Sequence, residues 1–445
     1  MKRILIKNAR IVNENKIFEG DLLIEDDRIA KIDQNLSQVH SDTTLIDAEG
    51  RFLIPGAIDD QVHFREPGLT HKGDINSESR AAVAGGITSY IEQPNTKPPA
   101  VTLEELEKKY DRAKETSVAN YAFNLGATND NIEEIKKADP KRIPGVKVFM
   151  GSSTGNMLVD EEAALNRIFS ESPIMVITHC EDEETISFNF EQYKERYGDD
   201  IPIEFHPEIR SREACFKSTS LAIELAKKHG TRLHVYHIST AEEAALFSNK
   251  PLEEKKITAE ACVHHLWFSA EDYAELGTLI KWNPAVKEIS DRDALWKALK
   301  EGRLDVVATD HAPHTLEEKK NVYTKAPSGG PLVQHALPAM MEFVRDEEIS
   351  MEMLVTKMCH NPAKIFNIKD RGFIREGYFA DLVLLDPSRP WKVNSENILA
   401  KCGWSPFEGV TFRARITHTF VNGQLVYDNG KVNDSKKGMR LEFDR

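Results

Sequence analysis

Histidine, aspartate and lysine close a series of short apolar runs in the middle of this chain: His63, Lys147, His179, His237 and Asp310. Imidazole nitrogens and carboxylate oxygens are the usual donors to a divalent ion such as zinc. Four such donors at equivalent places in successive runs point to a metal centre. Gln61 lies two residues before His63, so in a strand both project to one face. Its amide oxygen is a weak, neutral ligand beside an imidazole. Lys147 carries no lone pair as an ammonium. It could form an ion pair with Asp310, or it could react with carbon dioxide to give a carbamate able to bridge two metals. Burial lowers a lysine's pKa and frees the amine for that reaction.

Arg65 and Asn95 are candidates to bind an anion. Arg65 follows the metal run in His63-Phe64-Arg65-Glu66-Pro67-Gly68, and a guanidinium grips a carboxylate with two parallel hydrogen bonds. The plainer alternative is a salt bridge to Glu66 or another acid. Asn283, in Trp282-Asn283-Pro284, and His314, in Asp310-His311-Ala312-Pro313-His314, could complete a substrate cradle, although asparagine before proline is commonly a turn. His264 and His265 are read as supporting or core residues.

The positioning elements are strands alternating with helices. Strands are expected at 57–64, 87–93, 118–125, 145–150, 174–179, 233–237, 257–263 and 305–310. Helical patterns cover 77–84, 103–114, 132–137, 160–169, 212–229, 241–247, 291–299, 337–345 and 351–359. This order implies a parallel sheet, and a (β/α)8 TIM-type barrel collects ligands at the carboxyl ends of its strands. A doubly wound open sheet is the alternative, without the glycine-rich phosphate loop it usually carries after its first strand. Both chain ends read as β-structure, with Asn422-Gly423 a strong hairpin turn. The expected organisation is a barrel over 55–366 and a smaller β-sandwich domain built from 1–54 and 367–445.

The chain has 445 residues and a formal net charge of -14. That balance argues against a nucleic-acid or anionic-membrane surface. The opening Met1-Lys2-Arg3-Ile4-Leu5 soon meets Lys7 and Arg10, so no signal peptide is expected, and no apolar stretch is long enough to span a bilayer. The five cysteines (Cys180, Cys215, Cys262, Cys359, Cys402) are scattered and form no CxxC pair. A reducing cytoplasm is therefore expected.

Over nearly its whole length the chain resembles the cyclic amidohydrolases, and within them the dihydroorotase branch. The resemblance is carried by Ile54-Pro55-Gly56-Ala57-Ile58-Asp59, His63-Phe64-Arg65-Glu66-Pro67-Gly68, Gln93-Pro94-Asn95-Thr96, Gly145-Val146-Lys147, Thr178-His179-Cys180-Glu181, His237-Ile238-Ser239-Thr240, Thr309-Asp310-His311-Ala312-Pro313-His314 and Ser405-Pro406-Phe407-Glu408-Gly409. It implies one or two zinc ions. His63, carbamylated Lys147 and Asp310 would hold one, and Lys147, His179 and His237 the other. It further implies reversible cyclisation of N-carbamoyl-L-aspartate to L-dihydroorotate in pyrimidine biosynthesis. Asp310 would move the proton, Arg65, Asn95 and His314 would hold a carboxylate, and Asn283 would lie near the ring. A homodimer is the implied assembly. Two positions depart from the pattern. Gln61 replaces the first histidine of His-x-His, which predicts a weak or absent ligand there. The loop 328–335 carries Gln334 where the family more often has a glutamate nearby. Two other activities fit parts of this reading: a hydantoinase- or allantoinase-like cyclic amidase, or a catalytically silent structural partner of aspartate carbamoyltransferase.

Overall fold

In the computed structural model, which describes residues 2–36, 42–151 and 157–445, the middle of the chain closes into a parallel barrel. Its strands are Ala57–Val62, Ile87–Glu92, Asn120–Phe123 continued by Leu125–Gly126, Val146–Phe149, Val176–His179, Leu233–Val235, Ile257–Cys262 and Val306–Ala308. Neighbours pair in parallel all the way round. The ring closes where Val62 bridges His311 and the His63 N–H donates to the His311 carbonyl at 2.7 Å. That closure rules out the open sheet. The first two strands are buried at every position, as expected for a sheet covered on both faces.

The helices follow the sequence pattern where one face is apolar. Arg212–His229 has the expected bounds because Ser211 caps its start, accepting from the Ala214 N–H, and Gly230 ends it in the left-handed conformation. Glu183–Tyr197 is an additional helix. Only Ile186 of it is buried, so it shows no stripe to read. The expected helix 351–359 is instead Met351–Val355, a wider π turn over Thr356–His360, and Asn361–Phe366.

Strands six and eight stop short of the residues expected to end them. His237 (φ 39°) and Asp310 (φ 49°) adopt left-handed backbone conformations, which take the chain out of the ladder and into the mouth.

The two chain ends join in one nine-stranded sheet. Phe52–Pro55 from the start pairs antiparallel with Leu382–Asp386 from the end. Ile4, Ile11, Leu22, Leu53, Leu384 and Phe420 share its apolar core. The expected Asn422-Gly423 turn is present, with both residues at positive φ between Arg415–Val421 and Gln424–Asp428.

Candidate active site

The barrel mouth encloses a cavity of about 220 Å³. Every site residue singled out from the sequence lines it: Gln61, His63, Arg65, Asn95, Lys147, His179, His237, Asn283, Asp310 and His314. His264 and His265 are buried but do not line it. Instead, the His264 ring stacks on Trp282, 4.4 Å between centroids, and His265 Nε2 meets the Pro284 carbonyl at 3.1 Å.

The metal-type residues form two facing pairs. His63 Nε2 lies 3.0 Å from Asp310 Oδ1, and its Nδ1 lies 2.7 Å from Asn95 Oδ1. Across the mouth, His179 Nδ1 lies 2.9 Å from His237 Nε2. Burial holds the His63 imidazole below its ordinary pKa and the His237 imidazole well below it, which keeps both neutral and able to ligate.

Lys147 is fully buried, and its Nζ has no hydrogen-bond partner. The ion pair with Asp310 is not formed. The ammonium position lies 3.9 Å from the Tyr236 ring centroid and 4.9 Å from that of Phe149. Burial, opposed by Glu260 and Asp310, brings its pKa down to about 7. The amine is orphaned and readily deprotonated, and the imidazoles of His63 and His237 beside it are neutral. The donor set therefore fits divalent metal. Gln61 lines the cavity, and its Oε1 takes only a long contact from the Cys262 thiol, 3.6 Å.

Arg65 is buried (5% exposed) at φ 71°. It donates to the Pro313 carbonyl and to His314 Nε2, each at 3.0 Å. Glu66, the expected salt-bridge partner, is taken by Arg112 at 2.7 Å. Among the described residues Arg65 has no carboxylate partner, and burial brings its pKa down to about 10. A buried guanidinium without a counter-ion is costly. A carboxylate-bearing ligand in the cavity would supply one. Asn283 Oδ1 is also buried without a partner.

Sequence reasoning missed the residues that hold these groups in place. Glu181 accepts from His179 Nε2 at 2.9 Å and pairs with Arg210. Burial would push this carboxyl up, but Arg210 and His179 outweigh it and hold it at about 2. Its position two residues after His179 was the available signal. Lys319 is buried and donates to the Lys281, Pro327 and Gly329 carbonyls at 2.8–3.1 Å, fixing the loop whose Pro327, Ser328 and Gly329 line the cavity.

A closed parallel barrel with metal-type ligands at its mouth has close counterparts. The chain belongs to the amidohydrolase family, whose pattern matches residues 52–426. It is 33% identical to a dihydroorotase of Methanosarcina acetivorans, over 100% of this chain and 95% of that protein. It is 35% identical to one of Carboxydothermus hydrogenoformans, over 95% and 98%. Among solved structures, an L-hydantoinase from Arthrobacter aurescens superposes with a TM-score of 0.92 at 29% identity, covering 97% of this chain and 98% of that one.

Proposed function

We propose that the protein is a metal-dependent dihydroorotase that interconverts N-carbamoyl-L-aspartate and L-dihydroorotate. The observation that carries this reading is Arg65, a buried guanidinium without a carboxylate partner at the edge of the metal-type cluster. A ring bearing a carboxylate satisfies it, and an uncharged hydantoin ring does not.

The resemblance and the two facing pairs support ligand sets of His63, Lys147 as a carbamate, and Asp310 on one side, and of Lys147, His179 and His237 on the other. Zinc bound there supplies a Lewis acid and water acidified to a pKa of about 7. The chain's own residues do the rest. Arg65, with Asn95 and His314 beside it, orients the substrate's α-carboxylate. Asn283 offers its unpaired oxygen to a ring N–H. In ring closure Asp310 takes a proton from the carbamoyl nitrogen as that nitrogen bonds to the side-chain carboxylate carbon, and passes it to the carboxylate oxygen that leaves as hydroxide, which a proton from solvent converts to water. In hydrolysis Asp310 takes the proton of the attacking hydroxide and delivers it to the departing nitrogen. The free cysteines support a reducing, cytoplasmic setting. Among the described residues no helix is long and apolar enough to cross a membrane.

The test is turnover of both acids by zinc-loaded protein, beside its Arg65→Met variant and an uncharged hydantoin. Ring closure that collapses in the variant supports the proposal. Good activity on hydantoin that survives Arg65→Met would assign the site to a different cyclic amidase.

A further inference from the structure

Below the mouth, inside the barrel, lies a second group of metal-type donors that does not line the cavity. Asp60 comes from the first strand, His234 from the sixth and Glu260 from the seventh, and each is 0% exposed. They interrupt runs that are otherwise apolar, as in Leu233-His234-Val235 and Ala259-Glu260-Ala261. Asp60 faces inward beside Gln61 because the first strand shifts register between Asp59 and Val62.

His234 Nε2 lies 3.1 Å from Asp60 Oδ2 and 3.7 Å from Glu260 Oε2. One donor atom from each residue lies within 4.8 Å of the other two. Both Asp60 oxygens, Glu260 Oε2 and His234 Nε2 nevertheless have no hydrogen-bond partner. Their outer ends are tied down. The Thr258 hydroxyl donates to the Leu233 carbonyl at 3.4 Å, so it accepts from His234 Nδ1–H at 2.8 Å. That leaves Nε2 facing two carboxylates, which against the cost of burial raise the imidazole's pKa to about 9, so without metal a proton takes the place of the ion. Glu260 Oε1 accepts the His237 N–H at 3.0 Å. Among the described residues no lysine or arginine forms an ion pair with either acid. A histidine fixed through its other nitrogen is the usual preparation of a metal ligand. Ligands about 2.1 Å from a tetrahedral zinc stand about 3.4 Å apart, and the two distances from His234 Nε2, 3.1 and 3.7 Å, lie on either side of that value.

We propose that Asp60, His234 and Glu260 form a second, buried site for a divalent transition ion, zinc being the natural occupant. All three residues are fully buried, so the site is closed to substrate and its role is structural. This inference does not rest on the reading of the mouth. Its consequence there is mechanical, because Asp60 precedes Gln61 and Glu260 holds the backbone of His237.

The direct test is a crystal of the wild-type protein grown with zinc, with diffraction recorded on both sides of the zinc absorption edge. The expected result is an anomalous peak between Asp60, His234 and Glu260, separate from any peak at the mouth. A peak at the mouth alone overturns the proposal. In solution, zinc is counted by mass spectrometry in a His179→Ala, His237→Ala, Asp310→Ala variant dialysed against metal-free buffer. About one zinc per chain should remain, and adding Glu260→Gln should remove it. A triple variant with native circular dichroism and no zinc also overturns the proposal. Ring-closing activity reports on the mouth, so failure of the two readings is told apart.

Discussion

The two sides of the mouth are built to different standards. On one side His179 meets His237 and is backed by Glu181, which Arg210 holds in turn. On the other, His63 meets Asp310 and is backed by the neutral Asn95, while its strand neighbour is Gln61 rather than a second imidazole. A carboxylate behind a histidine raises its basicity and fixes its ring, and an amide does so less. On the proposed reading, the first side would hold its metal more firmly, and the second would add proton transfer and substrate contact to a weaker metal site.

The strongest break of this contrast is Asp310→Asn, which keeps the shape and removes the base. Ring closure should slow about 10²–10⁴-fold in kcat. A change below about tenfold would place proton transfer elsewhere. Arg65→Met should come next. Truncating one partner of a buried charged pair costs about 2 kcal/mol or more, so kcat/KM for N-carbamoyl-L-aspartate should fall at least about 30-fold. The two histidine supports can then be compared by chelator competition. Glu181→Gln should weaken zinc about 10–100-fold, and Asn95→Ala should weaken it less. The reverse order would invert the assignment of the sides.

The lysine between them gives a pH test. Burial brings Lys147 from 10.5 down to about 7, so its neutral share rises about tenfold between pH 6 and pH 8. At fixed dissolved carbon dioxide, the ¹³C signal of a carbamate on metal-free protein should rise over that interval. Linkage has the same sign. Between about pH 7 and 10.5 the unfolded chain binds more protons at this group than the folded one, so metal-free stability from Lys147 increases with pH there. The smallest effect is expected from Gln61→His, which should raise zinc at the mouth toward a second ion per chain. Unchanged metal content would show that the amide is no handicap.

The mouth was legible because its residues sit at regular places, each just past an apolar run. The turns that present Arg65, His237 and Asp310 were not, because left-handed backbone at a non-glycine residue leaves no mark in composition. Helix Glu183–Tyr197 was hidden by its exposure. Glu181 was in view beside His179, but its partner Arg210 comes from a distant loop. Asp60, His234 and Glu260 carried a readable warning, namely charged residues inside strands otherwise buried and apolar. These charges lie mid-strand, outside the regular strand-end positions that mark the mouth.

The seam between Phe52–Pro55 and Leu382–Asp386 sets an order of events during synthesis. The early strand leaves the ribosome about three hundred residues before its partner exists, which at 5–20 residues per second is a wait of some tens of seconds. For that time its edge is open to any other strand, and the barrel between must be made first. Newly made chains are thus most exposed to mispairing at the border of the sheet, far from the catalytic chemistry, and chaperone dependence should track the last strands rather than the metal ligands.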